Sequence, residues 1–173
     1  AGSASTGVQN SDDFNYLFLQ GIIATGCAPL QDTNYCLDMT PVDYAAKAVV
    51  HLAVHAPHKA IGQRFHLQTP QKPMPLSEIV DLLREIGYTV EAVTRDEFVQ
   101  RLSQDSRTAQ LASGWPTFEP YFIASTWLQY GCDNLQFACG DVISCPTVDA
   151  TLLAHWFPKD SITTTTDNTI QQQ

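Results

Sequence analysis

No lysine or arginine precedes Lys47, and none lies between Arg107 and Lys159. With 9 basic residues against 18 acidic ones, the formal net charge is −9. Affinity for nucleic acid comes largely from Lys and Arg neutralising phosphates, so this surface excludes nucleic acid as the main partner. No run approaches the ~20 apolar residues of a membrane helix, and the first residues lack the basic-then-apolar order of a signal peptide. The reading is a soluble, cytoplasmic chain without membrane contact. Five cysteines, Cys27, Cys36, Cys132, Cys139 and Cys145, are odd in number and contain no CxxC pair, so free thiols are expected rather than disulfide staples.

Motifs that carry chemistry are scarce too. There is no GxGxxG turn between a strand and a helix, the usual device for holding a pyrophosphate at a helix N-terminus, so dinucleotide binding cannot be argued from this chain. Tyr44 and Lys47 are three apart, which is not the Tyr-x-x-x-Lys pair of short-chain dehydrogenases. No GxSxG elbow occurs, and no Cys sits in a nucleophile signature. His51, His55 and His58 follow an H-x3-H-x2-H pattern, but no acidic or Cys ligand stands at motif spacing and His58 falls beyond Pro57. A solvated helix end explains them, and no metal site is expected.

What remains is a composition of 44% hydrophobic and 16% charged residues over 173 positions, which fits one folded domain. Residues 1–10, AGSASTGVQN, read as a loop. Ser11 is expected to cap a helix ended by Gly26, with Phe14, Leu17, Phe18 and Ile22 on its apolar face. Tyr35, Leu37 and Met39 alternate as in a half-buried strand. In TPVDYAAKAVVHLAVHAP, Thr40 is read as N-cap, Pro41 as the first helical residue and Asp43 as its capping-box partner. Alanines and valines at 45, 46, 49, 50 and 53 predict a narrow face packed against a sheet. A strand is expected at 64–68, then a helix capped by Ser77 with Ile79, Leu82, Leu83 and Ile86 in register, a strand near 88–93, and a helix opened by Thr94 and Glu97 that reaches Leu102 or Leu111. These last two helices are expected to pack over one another. Further helices are read around 121–130 and after Pro146, and the polar 161–173 as a flexible tail or linker beyond a 1–160 domain.

The order GSASTG, Asn10, LDMTPVDYAAKAVVHLA, FHLQTPQKPMPLSEIVDLLREIGYTVE and the late CP-x-VD-x-x-LL of Cys145 to Leu153 resembles the thioester reductase family. These extended short-chain dehydrogenases release carrier-bound chains in nonribosomal peptide and polyketide synthases and are related to carboxylic acid reductases. The resemblance implies an α/β fold: the C-terminal part of an extended dehydrogenase, a small sheet remnant plus a mostly helical subdomain, without the Rossmann cofactor half. In the family NADPH and the catalytic Thr/Ser, Tyr and Lys belong to that other half, so no catalytic and no cofactor-binding residue carries over, and whether the chain is an enzyme by itself stays open.

Gly2, Ser5, Thr6, Gly7 and Asn10 correspond to the loop bordering the substrate pocket, and Asp43 and Tyr44 to the strand-to-helix junction beside it. The implied function is the substrate- and carrier-arm-binding portion of a reductase releasing aldehyde or alcohol. The alternative is a truncated domain with non-reductive chain release, by hydrolysis or cyclisation, or a docking role in a megasynthase. The implied partner is an acyl or peptidyl carrier protein with its phosphopantetheine arm, met by Arg84, Arg95, Arg101 and Arg107. Aromatics Tyr88, Phe98, Trp115, Phe118, Tyr121, Phe122, Trp127 and Tyr130 are candidates for an acyl channel or plain core. An apolar face is expected to be exposed, or covered by the missing Rossmann half or by self-association.

Overall fold

A computed structural model describes residues 1–123 and 131–159. Trp127, Tyr130 and the expected tail lie outside the described residues. The described residues form eight α-helices and two separate two-stranded sheets. The α/β character and the mostly helical make-up agree with the expectation from sequence.

Helix α1, Phe14–Thr25, is capped by Asp13 rather than Ser11. Asn10 draws the amide of Asp12 onto its side chain and that of Asp13 onto its carbonyl, so a turn occupies 10–13 and the helix starts later. Its C-cap, Gly26, has φ +65°, a conformation glycine adopts without steric cost. Strand β1, Cys27–Pro29, follows at once and pairs in parallel with β4, Glu91–Val93. Strand β2, Cys36–Leu37, pairs antiparallel with β3, Met74–Pro75. Tyr35, Leu37 and Met39 are buried as the alternation requires, but Cys36 is buried too, because β3 and the loop around Phe122 cover its other side.

Helix α2, Val42–Val50, runs into a single π-helical turn, His51–His55, in which the Ala56 amide reaches back to the His51 carbonyl. The capping box does not form. Thr40 Oγ1 instead donates to Asp38 Oδ1 and accepts the Thr69 amide, and Pro41 stands at the cap without a side-chain bond. Nor do the small residues pack on a sheet: Tyr44, Ala48 and Leu52 are the buried side, set against Leu135, Ala138 and Cys139, while Ala46, Val49, Val50 and Ala53 face solvent. Pro57 opens a four-residue helix, α3, Pro57–Ala60.

The strand expected at 64–68 is absent. Its carbonyls are taken by side chains instead, Arg64 O by Asn134 Nδ2 at 3.0 Å and Gln68 O by Cys132 Sγ at 3.7 Å, and no described strand pairs with it. Helix α4, Leu76–Glu85, starts before Ser77, since β3 feeds straight into it and the Leu76 amide is held by Tyr35 O. Helix α5, Arg95–Gln104, has Thr94 as its cap, accepting the Glu97 amide at 3.3 Å. It stops at Asp105, which caps a 3-10 turn, Ser106–Thr108, leading into α6, Ala109–Phe118. Helices α4 and α5 do not stack on each other: α4 lies on α8, Ala150–Trp156, whereas α5 packs on α6, α1 and β1. Helix α7, Asp133–Cys139, supplies the second, smaller core.

The main core is aromatic at its centre. Phe18 stacks on Phe122 at 4.3 Å and meets Phe98 and Trp115 at 5.7 and 5.4 Å. Phe98, Trp115 and Phe122 are each at most 2% exposed, so they are core rather than channel wall, while Tyr121 is open to solvent. Tyr35 donates its hydroxyl to Glu119, and Arg95 grips the same carboxylate with two nitrogens at 2.8 and 2.7 Å.

Candidate functional site

The loop of Gly2 to Gly7 folds against the start of α2 and the end of α8. Asp43 is in the first turn of α2, and its two carboxylate oxygens accept the amides of Ala4 at 2.9 Å and Ser5 at 3.1 Å. Burial pushes the Asp43 carboxyl up, but the hydrogen bonds from Ala4 and Ser5 outweigh it and hold the carboxyl below its ordinary value. From the other side Trp156 Nε1 donates to Ser3 O at 3.0 Å, and Gln9 Nε2 donates to Trp156 O at 3.1 Å. Gly7 has φ +72°, and a Cβ there would lie 2.7 Å from the His155 carbonyl oxygen, so only glycine fits. Ser5 and Thr6 form the exposed tip.

Asn10 serves the turn into α1 and is not part of this clamp. Tyr44 follows Asp43 directly yet belongs to different surroundings. It is buried in the small core, and burial, then the neighbouring Cys145, Cys132 and Cys139, push its phenol up to about 12. The three thiols are themselves raised, each chiefly by burial, which leaves them poor nucleophiles at neutral pH. His51 and His55 sit with ring centroids 5.8 Å apart on the π-helical turn.

Sequence reasoning missed a polar junction next to this clamp. Asp38, Thr40, Thr69 and Cys145 form a chain of contacts: Thr40 Oγ1 to Asp38 at 2.5 Å, the Thr69 amide to Thr40 Oγ1 at 2.7 Å, and Cys145 Sγ to Thr69 Oγ1 at 3.5 Å. A small polar cleft of about 150 Å³ opens beside it, lined in part by Thr69, Gln71, Lys72 and Asp133. The signal was available in Thr40, whose side chain was assigned to a helix cap it does not make.

The four arginines are not brought together as a free cationic patch. Arg84 pairs with Asp81 at 2.9 Å, Arg95 with Glu119 and Asp96, Arg101 with Glu97 and Glu91, and Arg107 with Asp105 at 2.6 Å. Each guanidinium is already compensated within the chain.

No family model matches the sequence. The structure does find relatives. It superposes on the terminal R domain from the myxalamid PKS-NRPS biosynthetic pathway with a TM-score of 0.73 and 29% identity, over 90% of this chain and 40% of that one. The chain matches the C-terminal part of a thioester reductase domain. Its fold is shared with a thiolation-reductase di-domain from an archaeal non-ribosomal peptide synthetase, at a TM-score of 0.64 and 21% identity over 90% of this chain and 33% of that one. Among curated proteins, a linear gramicidin synthase of Brevibacillus parabrevis is 32% identical over 106 residues, which are 61% of this chain and 2% of that protein. The L-2-aminoadipate reductase of Eremothecium gossypii is 34% identical in its large subunit over 108 residues, 61% of this chain and 7% of that polypeptide. The chain therefore spans well under two thirds of the length of the proteins it matches.

Proposed function

We propose that the chain forms the substrate- and carrier-arm-binding portion of an NADPH-dependent thioester reductase, which releases acyl or peptidyl chains from a carrier protein as aldehyde or alcohol. The observation that carries this reading is the match over 90% of the chain to a terminal R domain. In such a reaction NADPH supplies the hydride that reduces the thioester carbonyl. The loop of Gly2 to Gly7 does not fit that cofactor. The amides of Ala4 and Ser5, the natural anion donors of a Gly-rich loop, are already spent on the Asp43 carboxylate, whose charge would repel a pyrophosphate. The space beside Gly7 is filled by His155 rather than open to a ligand. No hydride step is therefore assigned to this chain's own side chains.

Their role is positional. Asp43 and Trp156 hold the loop so that Ser5 and Thr6 stand out at its tip, where their hydroxyls can meet the amides and carbonyls of a pantetheine arm. The pairing of all four arginines within the chain supports assigning the carrier contact to this loop rather than to them. The test is an NMR titration of the labelled chain with a carrier protein bearing an acyl-phosphopantetheine arm. Shifts confined to residues 2–7 and the start of α2, and lost when the arm is removed, are expected. Shifts elsewhere, or unchanged by removing the arm, refute the placement.

A further inference from the structure

Residues 68 and 69 have no described strand beside them, and two of the groups that hold them are thiols. Cys132 Sγ lies 3.7 Å from Gln68 O and 3.9 Å from Thr69 O, and Cys145 Sγ lies 3.5 Å from Thr69 Oγ1 and 3.7 Å from Pro146 O. The Thr69 amide donates in turn to Thr40 Oγ1 at 2.7 Å, so the two sulfurs pin the stretch that enters the polar junction beside the loop clamp.

The two cysteines stand at opposite ends of one short excursion of the chain. Cys132 directly precedes α7, and after α7 the amides of Val142 and Ile143 turn back onto the Cys139 carbonyl, which returns Cys145 to the residue that Cys132 already touches. Both thiols are partly exposed, whereas Cys27, Cys36 and Cys139 are buried. Cys132 and Thr69 also line the polar cleft of about 150 Å³, which gives a small polar oxidant a route to the sulfur. Partial burial keeps both sulfurs protonated, which lets them donate and slows their attack on an oxidant.

We infer that Cys132 and Cys145 form a redox switch, in which oxidation to a disulfide withdraws the thiol donors from residues 68 and 69 and loosens that stretch. The oxidant is a peroxide. One sulfur attacks a peroxide oxygen, the O–O bond breaks, and a sulfenic acid and one water result; the second sulfur then displaces the sulfenic oxygen as another water and closes the S–S bond. Two S–H bonds and one O–O bond are thus exchanged for one S–S bond and two O–H bonds, with two electrons passing from the thiols to the peroxide. Each sulfur gives up the only proton it can donate, so the pins cannot survive the bond. Thr69 Oγ1 and the carbonyls of 68 and 69 lose those donors with no ladder to replace them. The inference rests on the thiol geometry and not on the carrier-arm reading, so either can fail alone.

The test treats the full chain with hydrogen peroxide, alkylates the remaining thiols and maps the peptides without reduction. A peptide linking Cys132 to Cys145, released by dithiothreitol, is expected. In the bridged protein the Thr69 amide should exchange about tenfold faster, in line with the loss of two weak hydrogen bonds. Cys145→Ser keeps a hydroxyl donor for Thr69 Oγ1 but cannot form the bridge, so its Thr69 exchange should not respond to peroxide. Linkage through Cys139 or between chains, or thiols that stay reduced or pass to sulfinic acid without a bridge, overturns the inference. So does a bridge that leaves Thr69 exchange unchanged, or a Cys145→Ser variant whose Thr69 amide responds to peroxide as the wild type does.

Discussion

Replacing Asp43 with Asn tests the loop clamp most directly. The wild-type carboxylate accepts two amides, at 2.9 and 3.1 Å, from residues 38 and 39 positions earlier. Hydrogen bonds to a charged group are worth about 1.5–3 kcal/mol when well sheltered, and partial exposure here reduces the sum to about 1–2 kcal/mol. Asn keeps one acceptor oxygen and no charge, so most of that is lost. The expected result is a melting temperature lower by roughly 2–8 °C and amide exchange at Ala4 and Ser5 faster by about 5–30-fold.

The pH dependence fixes the cause. The folded carboxyl is held below its ordinary value of 3.8, so the clamp is fully present above that value and is lost as pH falls through the lower folded one. The stability gap between wild type and Asp43→Asn should therefore be constant at neutral pH and close under strong acid. Urea denaturation at a series of pH values reads this gap. A gap that persists unchanged at low pH, or loop amides whose exchange is unaffected by the substitution, would refute the clamp.

Other expectations follow from the same geometry. Gly7→Ala combines a positive φ with a 2.7 Å approach to His155 O, whereas Gly62→Ala has φ +77° and open space around it. The first should cost about 2–4 kcal/mol and the second about 1, by chemical denaturation, and equal costs would show that the His155 contact is relaxed. Trp156→Phe keeps one aromatic ring but removes the donor to Ser3 O and leaves a buried void, for a loss of about 2–3 kcal/mol together with faster exchange at Ser3 and Gly7; an effect on stability alone would point to packing. Arg95→Ala leaves Glu119 facing Tyr35 without its cation and should destabilise by about 1–3 kcal/mol at neutral pH. Because Arg95 lowers the Glu119 carboxyl, the penalty should shrink as pH falls below the glutamate range; thermal melts at two pH values check it.

Much of the fold was legible where one local signal dominated. The periodicity of Ile79, Leu82 and Leu83, the Thr94 cap and the Gly26 stop each depend on near neighbours in sequence, and each element formed. The failures share a cause in long-range partners. Thr40 and Asp43 have the spacing of a capping box, but Thr69 and the 4–5 amides, 29 and 38 or more residues away, take their oxygens instead. The 64–68 stretch alternates like a strand but has no described strand beside it, and Asn134 and Cys132 occupy its carbonyls. The arginines are the exception: Asp81, Asp96, Glu97 and Asp105 stand within four residues of Arg84, Arg95, Arg101 and Arg107, so their pairing was legible locally, and only Glu119 for Arg95 and Glu91 for Arg101 come from other elements. Within the candidate site the loop and Asp43 were identified from the resemblance, whereas Trp156 and Gln9 were not. A tryptophan indole reaching a carbonyl 153 residues away leaves no trace in local pattern.

That indole also sets the order in which the fold can be completed. The 2–7 loop leaves the ribosome well before α8, so one of its two fasteners is synthesised roughly 8–30 s afterwards, the time to add about 150 residues at 5–20 per second. Until α8 docks, the loop is held only from the α2 side, by Asp43 and by the Val42 amide on Gly2 O, and the Ser3 carbonyl waits without its indole donor. The nascent chain therefore passes through an interval in which most of its helices exist while the candidate site is only half fastened. Stalling translation after residue 140 and pulsing with protease should cut the loop readily, and release past Trp156 should abolish the cut.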